Sequence, residues 1–224
     1  RVEAFFQAHN ANIAISKSVQ ESYQKRYAAR PPIIYNGVAP VKQQLYSQLK
    51  AGKINILFAG RFEEQKGIDT LIEIKSQKDS AIYHFHVIGG GSLMSLLTAE
   101  LAGFTHVSIR EPLFNLASFL ASFDFLLMPS RHEGLSILAL EANFNGLPAI
   151  INACPGLHET LPNDWPLRVE HNDLNTYLHL FNDVLPVINR HEIQTIARQF
   201  AEKHFSMRSM REGYERLYAQ AFKA

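Results

Sequence analysis

Residues 123–156, FDFLLMPSRHEGLSILALEANFNGLPAIINACPG, decide the fold. The opening FDFLLMPS is a short apolar run that stops at Pro129-Ser130, the pattern of a buried strand. LSILALEANF then sets Leu135, Leu138, Leu140, Ala142 and Phe144 on a largely apolar surface, which predicts a helix closed by Asn145-Gly146. Leu147-Pro148 leads into a second apolar strand, AIINA. Strand, helix and strand make a βαβ unit, and the loop RHEG falls between the first strand and the helix. Free N–H groups and the dipole at such a helix start attract an anion such as phosphate.

The loop nevertheless carries Glu133. A carboxylate beside a phosphate site is repelled by it, so Glu133 is better explained as an acceptor for neutral hydroxyls nearby. Glu141 invites the same reading. It lies eight residues on, about two turns and some 80° further round the helix, so it need not share a direction with Glu133. Two carboxylates flanking one long ligand suit a molecule with hydroxyls at both ends and a diphosphate between them, a nucleotide sugar. The plain alternative is a helix-start Glu stabilising the dipole and a surface Glu in mid-helix, and spacing alone does not separate the two.

Composition narrows the field. The chain has 224 residues, 46% hydrophobic and 19% charged, enough to bury a good core as one domain or one and a half. Lys and Arg number 22 against 21 Asp and Glu, a net charge of +1, and no basic run is interleaved with aromatics, so no nucleic acid partner is expected. A lone cysteine, Cys154, excludes an intramolecular disulfide; an inert, partly buried thiol in a reducing, cytoplasmic compartment is expected. No apolar run reaches the length of a membrane span, and the start lacks a signal-peptide pattern. A first residue of Arg rather than Met reads as a fragment or a processed product.

Elsewhere, strands and helices alternate. RVEAFFQAHN reads as a helix, ANIAIS as a strand, and Ser18 to Tyr27 as a helix with Ser18 as its cap and Glu21 three residues on. ARPPIIYNGVAP holds a short strand at a plausible boundary, followed by a polar connection, VKQQLYSQLKAGK. KINILFAG, YHFHVIG, HVSIRE and PLRVE read as strands; GIDTLIEIKSQ, LMSLLTAEL, NLASFLAS, HETL, DLNTYLHLFNDVL, HEIQTIARQFAEKHF and MRSMREGYERLYAQAF read as helices. This is an α/β chain with a doubly wound, mainly parallel, Rossmann-like sheet. Its ligand crevice lies at the carboxyl ends of the strands, where Gly60-Arg61, Gly89-Gly90, Arg110-Glu111 and Ser130–Gly134 fall.

Within that crevice Arg61 offers a forked contact and Lys66 a point charge, a pair suited to a diphosphate; a solvated turn in which Glu63 and Glu64 pair with them is the bland reading. Gly89-Gly90-Gly91 permits close approach of a ligand, and serves a tight strand-to-helix turn equally well. His84 and His86 share a strand face without an evident third metal ligand, so no metal is expected. His132 reads as an acid, a base, a phosphate donor or an exposed loop residue, and Glu159 as a first-turn helix acid. No nucleophilic triad stands out.

Taken in order, AISKS, IYNGV, FAGRFEEQKGIDTLIEI, FHVIGGG and DFLLMPSRHEGLSILALEANFNGLPAIINACPGLHE resemble the C-terminal half of a family-4 (group 1) glycosyltransferase, a retaining enzyme of the GT-B fold. The resemblance covers nearly the whole chain and is specific in the combination of E-G-x6-E with an upstream G-R-x4-K-G. It implies a hexosyltransferase using a UDP- or GDP-linked sugar, without a metal or other cofactor. Arg61 and Lys66 would bind the donor diphosphate, Glu133 the sugar hydroxyls and Glu141 the ribose. Gly60 and the amides of Gly134, Leu135 and Ser136 would meet the donor phosphates, and the loop Arg110–Leu113 would border the base. Two departures, Ser136 for a second glycine and Pro155-Gly156 for a glycine pair, bear on sugar fit.

The resemblance also divides the chain. Residues 1–36 would be the tail of an N-terminal acceptor domain, 37–52 a linker, 53–205 the nucleotide-sugar domain, and 206–224 a helix returning toward the acceptor domain. A glycan or lipid-linked acceptor, as in polysaccharide or lipopolysaccharide assembly, would then bind through the missing half. Peripheral association of the full-length enzyme with the inner face of the membrane is compatible with this. The alternative is a non-catalytic nucleotide- or glycan-binding module of the same fold.

Overall fold

The computed structural model describes residues 12–76 and 81–221. Six strands, β1 (Ile54–Arg61), β2 (Tyr83–Gly90), β3 (Val107–Arg110), β4 (Phe125–Met128), β5 (Ala149–Asn152) and β6 (Arg168–Val169), form one sheet in the order β3-β2-β1-β4-β5-β6. Every pairing is parallel. The order reverses between β1 and β4, and the crevice outside their carboxyl ends is where such a sheet takes a ligand. Gly60-Arg61 ends β1 at that point, and Pro129-Ser130 follows β4.

Helices cover both faces. α2 (Ile68–Ser76) packs with α3 (Met94–Leu101) and α5 (Leu174–His179); α4 (Ile137–Phe144) packs on the other face with α6 (Arg190–His204) and a 3₁₀ turn, Leu116–Ser122. The apolar residues of β2, β4 and β5 follow from burial on both sides: Phe85, Val87, Phe125, Leu126, Ile150 and Ile151 are all 0% exposed. NLASFLAS, expected as an α-helix, winds as 3₁₀, and DLNTYLHLFNDVL passes from α5 into one π turn at Leu180–Val184.

The N-terminal segment departs from expectation in detail. RVEAFFQAHN lies outside the described residues. α1 (Lys17–Tyr27) is capped by Ser16, whose Oγ accepts from Val19 N at 3.1 Å, and not by Ser18. The expected strands ANIAIS and IIY reduce to one parallel bridge, Ala14 to Ile33. α7 (Met207–Ala221) lies over this segment, with Val38 N donating to Phe205 O at 2.8 Å and Met207 N to Val38 O at 3.2 Å. Residues 37–52 run along the sheet domain: Gln44 N donates to Ser118 O, Tyr46 N to Ser122 Oγ, and Tyr46 is buried among His86, Phe119 and Phe123.

His84 and His86 sit at the amino end of β2, away from the crevice. Their Nε2 atoms meet Ser108 Oγ at 2.8 Å and Asn55 Oδ1 at 2.9 Å. Burial holds both rings neutral, pulling His84 down to about 4 and His86 to about 3. An unfolded histidine takes a proton near pH 6.5 while these do not, so stability falls as pH drops from about 6.5 toward 4. His86→Gln, which keeps a donor toward Asn55, is expected to flatten that part of the acid-unfolding curve. An unchanged slope in denaturant titrations at pH 6.5 and pH 4.5 would contradict it. Among the described residues no three His, Cys, Asp or Glu side chains are placed to hold a metal ion, and no helix is long and apolar enough to cross a membrane.

Candidate functional site

The carboxyl ends of β1 and β4 bring together two of the expected side chains, Lys66 and Glu133, with Arg61 on the same edge. Gly60, at φ 138, and Arg61 close β1, and a 3₁₀ turn, Glu64–Lys66, follows. Lys66 Nζ lies 2.7 Å from Glu133 Oε1, and the Glu133 side chain is only 9% exposed. Ser130 Oγ donates to the same oxygen at 2.9 Å. Lys66 therefore does not pair with Glu63 or Glu64. Glu63 instead accepts from Ser92 N and Oγ; those bonds, helped by Arg61, hold its carboxyl below the usual range against a small opposing desolvation. Arg61 is exposed at the crevice.

The Lys66–Glu133 pair changes what each group offers. An ammonium has three donors, so Lys66 keeps two for another anion while one is held by Glu133. The carboxylate beside an anion site is thereby neutralised by a cation, which removes the repulsion that made Glu133 seem misplaced.

α4 presents its start to the same crevice. Ser136 is its N-cap, with φ −77 and Oγ accepting from Ala139 N at 3.4 Å. The N–H groups of Gly134, Leu135, Ser136, Ile137 and Leu138 have no hydrogen-bond acceptor among the described residues. Leu135 turns inward, buried with Leu140, Phe144, Ala201 and Phe205, so its side chain anchors the loop while its N–H remains free.

Glu141 lies half-buried on α4, with no partner for its carboxylate among the described residues, and burial raises its pKa. A cleft of about 270 Å³ opens beside β1 and β2, lined by Gly60, Arg61, Ile88, Gly89, Pro112 and Leu113. Arg110 is exposed at the end of β3, paired in register with Ile88 of that lining; burial raises the Tyr46 hydroxyl's pKa, and the Arg110 charge, felt there and at His86, works against that rise. Gly89 and Gly91 of the triple run are required by packing, since a Cβ at Gly89 would come within 1.9 Å of Gly60 O and one at Gly91 within 2.7 Å of Phe62 N, whereas one at Gly90, which lines the cleft, would meet only Pro112 at 3.8 Å. His132 is exposed, and burial pushes the Cys154 thiol up to about 12, which leaves it inert.

Several supporting contacts carry no local sequence signal. Arg131 reaches back to Asp69, with Nη1 on Oδ1 at 2.9 Å, and to Glu64 O. Asn152 Nδ2 donates to Ser130 O and Asn172 Nδ2 to Pro129 O, and Asn172, at φ 51, donates its N–H to Asn152 Oδ1. Glu159 lies, as expected, in the first turn of its own short helix, the 3₁₀ turn His158–Thr160, but it serves α1 as well. Its carboxylate accepts from Lys17 N, Ser18 N and Ser18 Oγ at 2.7–2.8 Å and from Tyr35 OH at 3.0 Å. Burial alone would raise its pKa, but the bonds from Ser18, Lys17 and Tyr35 outweigh it and hold the carboxyl below its usual range.

The model of the family described as Glycosyl transferases group 1 matches residues 53–181. The chain belongs to that family. An uncharacterized glycosyltransferase of Methanocaldococcus jannaschii is 29% identical over 93% of this group 1 chain and 59% of its own length. An uncharacterized 41.2 kDa protein in the cps region of Klebsiella pneumoniae is 29% identical over 83% of the chain and 54% of its own. The chain thus spans between half and three-fifths of these curated relatives. HepE of Anabaena, solved in complex with UDP and glucose, superposes with a TM-score of 0.81 at 16% identity, over 93% of this chain and 62% of that one. Sucrose-phosphate synthase of Thermosynechococcus elongatus gives 0.79 at 22% identity, over 99% of this chain and 62% of that one. The group 1 chain shares the fold of these GT-B enzymes.

Proposed function

We propose that this group 1 glycosyltransferase chain is the donor-binding half of a retaining enzyme that takes a hexosyl group from a UDP- or GDP-linked sugar. The observation that supports the reading is the Lys66–Glu133 pair, formed between the turn after β1 and the loop after β4, with Arg61 at the end of β1 and the free amides at the start of α4 on the same sheet edge. Charge grows on the diphosphate as the sugar–oxygen bond breaks. A guanidinium, an ammonium and a helix start stabilise that charge more in the transition state than in the ground state. Glu133 accepts from sugar hydroxyls and, being paired, holds Lys66 in place; Glu141 accepts from the ribose. The cleft lined by Pro112 and Leu113 takes the base. HepE, solved with UDP and glucose, supports a nucleotide sugar as ligand.

The acceptor, a glycan or lipid-linked saccharide, binds through a domain beyond this chain, and the donor site needs no metal. The chain alone binds donor without transferring sugar, and a polypeptide of the relatives' full length transfers it with the anomeric configuration kept. Proton NMR of the product from the longer enzyme tests the stereochemistry: an inverted anomer contradicts retention, and efficient transfer by this chain alone contradicts the division of labour.

Glu141→Gln is expected to weaken nucleoside diphosphate binding by about tenfold, the worth of one charge-assisted hydrogen bond. Because burial raises the Glu141 pKa, wild-type affinity also falls on acidification sooner than an exposed carboxylate would dictate, and the Gln variant loses that dependence. Equal affinities across pH for both proteins would remove Glu141 from the site.

A further inference from the structure

We propose that Ser16, from the N-terminal segment, is a positioning residue that sets the direction of the Leu135 N–H in the donor-phosphate site. This rests on the nucleoside diphosphate reading above. Ser16 is 0% exposed, and its hydroxyl is used twice: Oγ donates to Gly134 O at 2.6 Å and accepts from Val19 N at 3.1 Å. The carbonyl of Gly134 and the N–H of Leu135 belong to one planar trans peptide, in which the two groups point in opposite directions. Drawing the carbonyl toward α1 therefore turns the Leu135 N–H away from α1. That N–H is one of the amides left without an acceptor among the described residues.

The peptide needs such a hold. Gly134 has no side chain, and the space a Cβ would occupy has only Ile15 and Val19 side-chain carbons at 3.8 Å, so the residue brings no side-chain packing of its own to fix the plane. The Leu135 side chain and the close approach of Gly156 to Gly134 O hold its position, and the Ser16 hydroxyl is the hydrogen bond that holds its carbonyl. The hold on Ser16 is itself built. Glu159 fixes the first amides of α1 at Lys17 and Ser18. Ser18 Oγ, while donating to Glu159, accepts from Gly156 N at 2.9 Å, and Glu133 N donates to Pro155 O at 2.9 Å. Residues 16–18, 133–134, 155–156 and 159 thus form a closed clasp, in which the Ser16 hydroxyl, at the cap of α1, bonds directly to the phosphate loop.

Ser16→Ala in the 224-residue chain tests this, with Glu159→Gln as a second variant that loosens the same clasp and keeps Ser16. Calorimetric titration with UDP, GDP and ADP, and with uridine, guanosine and adenosine, separates phosphate from nucleoside recognition. For whichever diphosphate the wild type binds, Ser16→Ala is expected to lose about tenfold in affinity, one amide–phosphate bond, and Glu159→Gln severalfold, with nucleoside affinity unchanged in both. In ¹H–¹⁵N spectra the Leu135 amide moves on addition of the diphosphate in the wild type and stays in place in Ser16→Ala. Diphosphate affinity within twofold of wild type in both variants overturns the role of Ser16 and leaves the donor reading intact. Equal loss of nucleoside and diphosphate affinity makes the clasp a general scaffold and also overturns it. No binding of any diphosphate by the wild type instead overturns the donor reading.

Discussion

Replacing Arg61 and Lys66 together by alanine is expected to weaken nucleoside diphosphate binding by over a hundredfold. Each cation supplies one charge-assisted contact worth roughly 1.5–3 kcal/mol; Arg61 ends β1 and Lys66 closes the 3₁₀ turn that follows it. The two single variants should differ in kind. Arg61 is exposed, so Arg61→Ala costs affinity with a change in stability of about 0.5 kcal/mol or less. Lys66→Ala leaves Glu133, whose side chain is 9% exposed, with Ser130 alone as a partner among the described residues, so it costs both. Glu133→Gln in the Lys66→Ala background should recover stability without recovering affinity. Wild-type affinity in the double alanine variant would remove both cations from the site.

Gly156→Ala is expected to give the largest loss of stability among these substitutions. Gly156 has φ 77, and a Cβ there would meet Glu133 O at 2.1 Å and Gly134 O at 2.6 Å, both backbone atoms that cannot turn aside. Gly52 provides the matched control, with φ 73 and nothing within 4 Å. Gly52→Ala carries the left-handed strain alone, about 1 kcal/mol, or a melting temperature lower by roughly 2–4 °C. Gly156→Ala adds displacement of the phosphate loop, for a total of roughly 3 kcal/mol or more and roughly 6–12 °C. Equal shifts for the two variants would show that the loop does not rest on Gly156. The departure from a glycine pair at Pro155-Gly156 is thus confined to the position that tolerates a side chain.

The sheet and the crevice were legible because their signals are local. Apolar runs such as NILFA and FLLM mark strands buried on both faces, and the break at Pro129-Ser130 before LSILALEANF marks a strand end followed by a helix start. Once the strands are parallel, Gly60-Arg61 and the RHEG loop must share an edge. What the chain did not disclose depends on side chains far apart in sequence. The Lys66–Glu133 bond joins residues 67 apart, and the Ser16–Gly134 bond residues 118 apart. Ser18 looked like the cap of α1 because Glu21 follows three residues later, but its hydroxyl is drawn to Glu159, and Ser16 takes the cap. NLASFLAS has helical spacing, yet starts from Asn115 at φ 60 and tightens to 3₁₀ between the sheet and α4. Ser136 was read as a lost glycine; in the fold it caps α4.

The proposed function depends first on the crevice between β1 and β4 taking a nucleoside diphosphate. Isothermal titration of the unmodified chain with UDP, GDP and ADP tests it most directly. One of the three is expected to bind saturably at a single site, and more tightly than its nucleoside. Failure of all three to bind, or binding no tighter than that of the nucleosides, would contradict the account.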